Sequence, residues 1–236
     1  MRINFGQVKF SVETIMTAIR IYLSYGVSYR EVEELMLERG IKVDHTTIYR
    51  WVIKFTPKLL KKFKKYKLKV GASWRLDETY IKVCGEWHYL YRAVDKNGFT
   101  IDFQLYKRRN KTAAYKYLRN AIEENGVPEK VNIDIEADDR RVSCGANTAG
   151  IRQYNKRHGT NIEIRQCKFL NNIVESDHRK VKRVAKQMGT FKNFVSARVT
   201  LAGIEMMNML KKRQAYLGTL FTKNYIDEFH ELAYIR

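Results

Sequence analysis

The sequence predicts a mixed-sheet α/β domain preceded by an all-α helix-turn-helix domain, and three observations carry that reading. Apolar residues recur at helical spacing through the N-terminal quarter of the chain. After Gly71 the pattern switches to short runs rich in aromatic and β-branched residues, as in strands. Beyond three such runs, helical and strand patterns alternate, which indicates a sheet with mixed strand directions. With 236 residues, 44% of them hydrophobic, the chain can bury a sizeable core.

Val12, Ile15, Met16, Ile19 and Leu23 form the apolar stripe of a first helix, with Ser11 as its cap and Gly26 as its end. Ser28 and Glu31 make a capping box for a second helix, whose stripe is Val32, Leu35 and Met36 and which stops at Gly40. Asp44 caps a third. Three short helices of this kind fit a helix-turn-helix, in which the start of the last helix meets base edges. On that helix Ile48, Trp51, Val52 and Phe55 look inward. His45, Thr46, Thr47, Arg50 and Lys54 look outward, mixing base-reading donors with phosphate-binding cations. A plain helical bundle with a solvated basic face has the same pattern. The next stretch, "KLLKKFKKYKLKV", tilts the balance toward DNA: its seven lysines, Lys58, Lys61, Lys62, Lys64, Lys65, Lys67 and Lys69, make a basic linker able to track phosphates. The two prolines, Pro57 and Pro128, read as element boundaries.

Lys and Arg number 45 against 25 acidic residues, a formal charge of +20, and that sign predicts polyanionic partners, nucleic acid above all. No apolar run approaches the length of a membrane-spanning helix, and the N-terminus lacks the pattern of a secretory signal, so the expected location is the cytosol. Cys84, Cys144 and Cys167 are widely spaced, show no zinc-site pattern and read as free thiols.

"WRLDETYIKV", "EWHYLYRAVD" and "TIDFQLY" read as an antiparallel meander with turns at Gly85 and at Asn97-Gly98. "NKTAAYKYLRNAIEENG" reads as a helix, "PEKVNID" as a strand, "TAGIRQYNKRHG" as a helix, "NIEIRQ" as a strand and "NNIVESDHRKVKRVAKQMG" as a long helix. Tyr80, Trp87 and Tyr91 read as sheet packing. Asp77 lies inside the first strand, Asp134 ends the fourth and Glu175 sits early on the long helix. Burying an acid at strand level costs several kcal/mol unless its charge is neutralised. Three carboxylates on separate elements offer the hard oxygen ligands that a pair of Mg²⁺ or Mn²⁺ ions needs for phosphodiester chemistry. His178, Arg179 and Lys182 share a helical face with Glu175, where they could hold DNA phosphates. Taken singly, each acid reads as an ordinary surface or capping residue; the constellation is what points to metal.

"YGVSYREVEELMLERGIKVDHTTIYRWV", "LDETYIKV", "WHYLYRAVD", "GANTAGIRQYNKR" and "LNNIVESDHRKVKR" resemble the transposases of the insertion-sequence-six family, which are bacterial DDE enzymes. The likeness spans residues 5–213. It implies an RNase H-like catalytic core, Mg²⁺-dependent cleavage and strand transfer at terminal inverted repeats, and replicative cointegrate formation. The catalytic residues it implies are Asp77, Asp134 and Glu175 as metal ligands, with Lys182 as the basic residue two turns on. It also implies a homodimer or larger oligomer acting on double-stranded DNA, both element ends and target, in a nucleoid-associated cytoplasmic protein. The segments expected on this basis are a helix-turn-helix domain at 1–58, a basic linker at 59–72, a catalytic domain at 73–213 and a tail at 214–236.

In one place the sequence departs from the family pattern. The family would have "GANTAGI" follow the second aspartate within a few residues, whereas "IEADDRRVSC" stands between Asp134 and Gly145. Three arrangements are open. The added segment bulges from a strand end and leaves Asp134 in place, the arrangement "VNID" favours; or the register shifts so that Asp138 or Asp139 takes the role; or the copy is inactive. In the last case the chain is a non-catalytic DNA-binding protein derived from a transposase.

Overall fold

The computed structural model describes residues 3–5, 9–134, 145–189, 191–216 and 224–235. The elements are α1 (Val12–Tyr25), α2 (Tyr29–Leu37), α3 (His45–Tyr66), β1 (Ser73–Val83), β2 (Glu86–Asp95), β3 (Thr100–Tyr106), α4 (Lys111–Asn125), β4 (Lys130–Ile133), α5 (Ala146–His158), β5 (Glu163–Gln166), α6 (Lys168–Gln187), α7 (Phe194–Lys211) and α8 (Tyr225–Glu231). They form two compact units, one of Met1–Leu68 with Lys180–Arg236 and one of Lys69–Arg179. Among the described residues no helix is long and apolar enough to cross a membrane.

The helical unit starts as the caps dictate. Ser11 accepts from the Thr14 amide, the Ser28–Glu31 capping box is complete, and Asp44 accepts from the Thr46 amide. Ile48, Trp51, Val52 and Phe55 are buried as expected. Pro57, however, lies inside α3 rather than at its end, and the helix runs on to Tyr66. A mid-helix proline costs about 3 kcal/mol. Here the apolar stripe continues past it through Leu59 and Phe63, both fully buried, and that burial outweighs the lost hydrogen bond. The first half of the lysine-rich stretch is therefore helix, and Lys62 is buried on it rather than facing phosphate. α7 packs against α1 and α3, and α8 against α1 and α7. Tyr234 Oη and His230 Nδ1 meet the Glu13 carboxylate at 2.9 and 2.7 Å, so the end of the chain joins this unit.

The second unit is built on one sheet of order β3-β2-β1-β4-β5. β1, β2 and β3 form an antiparallel meander, while β4 runs parallel to β1 and β5 parallel to β4. This is the mixed sheet the sequence predicts, and the expected strands are all present. A two-residue turn joins β1 to β2, with Cys84 at φ 51° and Gly85 at φ 83°, the left-handed pair that a tight hairpin of this twist requires. Trp74, Leu76, Tyr91, Ala93, Val131 and Ile133 bury one sheet face under α4 and α5. Those two helices touch closely: a Cβ on Gly150 of α5 would fall 2.9 Å from both the Ala114 Cβ and the Tyr115 backbone nitrogen of α4. The alternate residues of the sheet, among them Arg75, Asp77, Arg92 and Asn132, point to the opposite face.

Candidate active site

The parallel pairing of β1 with β4 ends at Leu76↔Ile133. Asp77, still within β1, and Asp134, one residue past the end of β4, come next, so the register brings two carboxyl-bearing positions to the place where β4 stops. Asn132, two residues before Asp134, shares its face. Its amide donates to Asn171 Oδ1 on α6 at 2.7 Å and to the Cys167 carbonyl at 2.9 Å. Further along α6, His178 Nδ1 lies 3.1 Å from Asp77 Oδ2. One helical face is thus pinned at two points, to β4 through Asn171 and to β1 through His178. Glu175 is four residues after the first and three before the second, so it lies on that same face between them. Asp77, Asp134 and Glu175 are all half-buried.

A second link runs alongside. Arg92 is the cross-strand partner of Asp77, and its Nη2 lies 2.6 Å from Asp177 Oδ2, with both side chains almost wholly buried. A buried ion pair of this kind is costly to desolvate and more costly to break. It fixes the Arg92 guanidinium on the sheet face that also carries Asp77. On the other face of β1, Glu78 reaches Arg109 Nε at 3.3 Å and hydrogen-bonds Asn147 in the first turn of α5. Burial pushes the Glu78 carboxyl above its usual range; the Arg109 charge opposes that rise and the Asp77 charge adds to it.

The ligand oxygens of Asp77, Asp134 and Glu175 are not all within 4.8 Å of one another; among the described residues the one set of three so gathered is Glu33, Asp44 and His45. The donor chemistry of the three acids still fits a hard divalent cation, since all are carboxylates on neighbouring elements. Asp138 and Asp139 lie outside the described residues.

The expected DNA contacts divide. Thr46, Arg50, Lys54, Arg179 and Lys182 are exposed, and Thr47 is half-buried. His45 is half-buried too, with Nδ1 2.8 Å from Glu33 Oε2, and its backbone amide donates to the same oxygen at 3.1 Å. His178 is buried against Asp77 rather than presented to a phosphate, because the turn that carries it faces the sheet. Asn132, Asn171, Asp177 and Arg92 were not singled out in the sequence. The signal was there in spacing: Asn132 is two residues before an acid on a strand, and Asn171 four before an acid on a helix.

A family model described as "DDE domain" matches residues 71–214. The "Transposase for insertion sequence-like element IS431mec" of Staphylococcus aureus strain Mu50 is 38% identical over 209 residues, covering 89% of each chain. The "Transposase for insertion sequence element IS257 in transposon Tn4003" of Staphylococcus aureus is 37% identical with the same coverage. Among solved structures, the HTLV-2 integrase catalytic core domain in complex with magnesium (trimeric form) is 14% identical, with a TM-score of 0.44 over 70% of this chain and 99% of that one. The family model and the relatives together define a transposase with a DDE domain. The chain belongs to the insertion-sequence-six family of transposases.

Proposed function

We propose that this chain cuts DNA at the terminal inverted repeats of an insertion sequence and joins the freed ends to target DNA, in the replicative, cointegrate-forming manner. What supports this reading most is the register that brings Asp77, within β1, and Asp134, one residue past β4, to the place where β4 stops, with α6 pinned so that Glu175 lies on the face turned to those strands. In the first step water bonds to phosphorus as the P–O3′ bond breaks, and the departing oxygen takes a proton to become a 3′-hydroxyl. In the second that hydroxyl attacks a target phosphorus and displaces another 3′-oxygen.

Asp77, Asp134 and Glu175 would hold two divalent cations, Mg²⁺ or Mn²⁺. Bound there, such ions supply Lewis-acid polarisation of the phosphodiester and a more acidic attacking oxygen. His178 steadies the Asp77 carboxylate, and the Asn132–Asn171 bond keeps the helix turn bearing Glu175 at the strand end. Lys182 and Arg179 bind DNA phosphates. His45, Thr46, Thr47, Arg50 and Lys54 read the element's ends in the major groove, His45 doing so from a ring already fixed by Glu33. Within the expected segments, recognition belongs to residues 1–58 and chemistry to 73–213, and the working form is a homo-oligomer holding paired ends. Incubating the protein with a duplex carrying the terminal repeat and Mg²⁺ tests the reading. Nicked and joined products that vanish with a chelator support it; end binding with no nicking in any divalent metal would leave a non-catalytic DNA-binding protein.

A further inference from the structure

The hairpin of β1 and β2 carries aromatic rings where a solvated hairpin would carry polar side chains. Tyr80 faces Tyr89 across the pair and Lys82 faces Trp87, while Tyr89 faces Tyr106 on β3. All five lie on the sheet face that α4 and α5 cover nearer the core, and along it burial fades. Tyr91 is fully buried, Tyr89 and Tyr106 are partly buried against the core, and Tyr80 and Trp87 are 52% and 58% exposed. The alternate residues Thr79, Ile81, Val83, His88 and Leu90 are all buried, so the rings are not surplus core side chains turned outward by a register slip. Packing, expected for Tyr80 and Trp87, is therefore not what most of their surface does.

The rings are ordered against one another. Trp87 stands edge-on to Tyr80 at 6.2 Å, Tyr80 lies 5.3 Å from Tyr89, and Lys82 Nζ is 5.7 Å from the Trp87 centroid. Beside them, directly after Tyr106, come exposed Lys107, Arg108 and Arg109. Exposed rings invite a partner, and the charge decides which. A second copy of the same patch would bring these like cations together, which opposes self-pairing. A duplex offers phosphates but keeps its base faces stacked inside. Unpaired bases offer both a π-face for the rings and a phosphate for each cation.

We propose that the Tyr80–Trp87–Tyr89 face is a stacking platform for single-stranded DNA, with Lys82, Lys107 and Arg108 pairing its phosphates. Resting on the transposase reading, its place in the reaction is to hold the strand that unpairs at a cut end. The binding itself does not depend on catalysis, and so the two ideas fail separately: loss of nicking would leave the platform standing.

The full chain carries its own probe, because Trp51 and Trp74 are 6% and 1% exposed while Trp87 is open. Titration with a short oligothymidylate is expected to quench the Trp87 emission. Trp87→Ala is expected to weaken single-strand binding by about ten-fold or more, given the usual worth of one base stacked on a ring, while Trp87→Phe retains most of it. Affinity for the terminal-repeat duplex should stay within about two-fold, as it should for Tyr80→Ala. Unchanged single-strand affinity in Trp87→Ala overturns the proposal. So does equal loss of duplex binding, or a parent oligomer that Trp87→Ala dissociates, the mark of a self-association face.

Discussion

Arg92 and Asp177 meet at 2.6 Å inside the sheet unit, and Arg92 is also the residue directly across the ladder from Asp77. Asp177→Ala would take from the buried Arg92 guanidinium the carboxylate it meets at 2.6 Å, so it should cost about 3–5 kcal/mol in urea unfolding. Replacing both partners, as Arg92→Met with Asp177→Leu, should recover most of that loss, since no unpaired charge is left behind. A double variant as unstable as the single one would show that shape, not charge, is what the pair supplies.

Asp134→Ala and Glu175→Ala should each remove metal-dependent strand transfer while end binding stays at the parent level. Electrophoretic mobility of the terminal-repeat duplex measures the binding, and product gels measure the transfer. Full transfer by either variant would remove that residue from the reaction.

Glu78 supplies a test of pH dependence. Its carboxyl is held above the usual range by burial first, with Arg109 pulling the other way. A raised carboxylate contributes stability that is fully present below its unfolded value, about 4.3, and is lost as pH rises through the folded value. Glu78→Gln removes the titration, so its stability relative to the parent should rise from pH 4 to pH 8. Parallel stability profiles for the two proteins would contradict this.

Gly150→Ala should destabilise the fold by about 1–3 kcal/mol, although alanine is the better helix former by about 1 kcal/mol. The new methyl group meets backbone in α4, which cannot swing aside as the end of a long side chain can. Thermal melts of parent and variant decide it.

Arg50→Ala and Lys54→Ala should each weaken duplex binding and flatten its salt dependence, because both residues lie exposed on α3. Binding isotherms at several salt concentrations give the slope directly.

Local signals were the most legible. β2 and β3 lie where alternation bounded by Gly85 and by Asn97-Gly98 put them, and Ser28, Glu31 and Asp44 cap as their side-chain chemistry requires. What was hidden depended on partners distant in sequence. Pro57 reads as a stop unless one knows that Leu59 and Phe63 are buried beyond it. Nothing local says that α7 and α8 pack with α1. At the candidate site the acids were legible as types at intervals, whereas the bond from Asn132 to Asn171 was not, because neither amide carries a charge to draw notice. His178 was read as a cation for phosphate because helical spacing tells which residues share a face but not what that face meets.

The close seat of Gly150 on α4 bears on the ten residues between Asp134 and Gly145. Upstream, β4 is held by β1 and β5; downstream, α5 is held by backbone contact with α4. Each flank is moored by its own neighbours, so neither the strand nor the helix depends on the other for its seat. A lineage of mobile elements could thus vary the sequence between the two flanks while the framework on either side stays as it was.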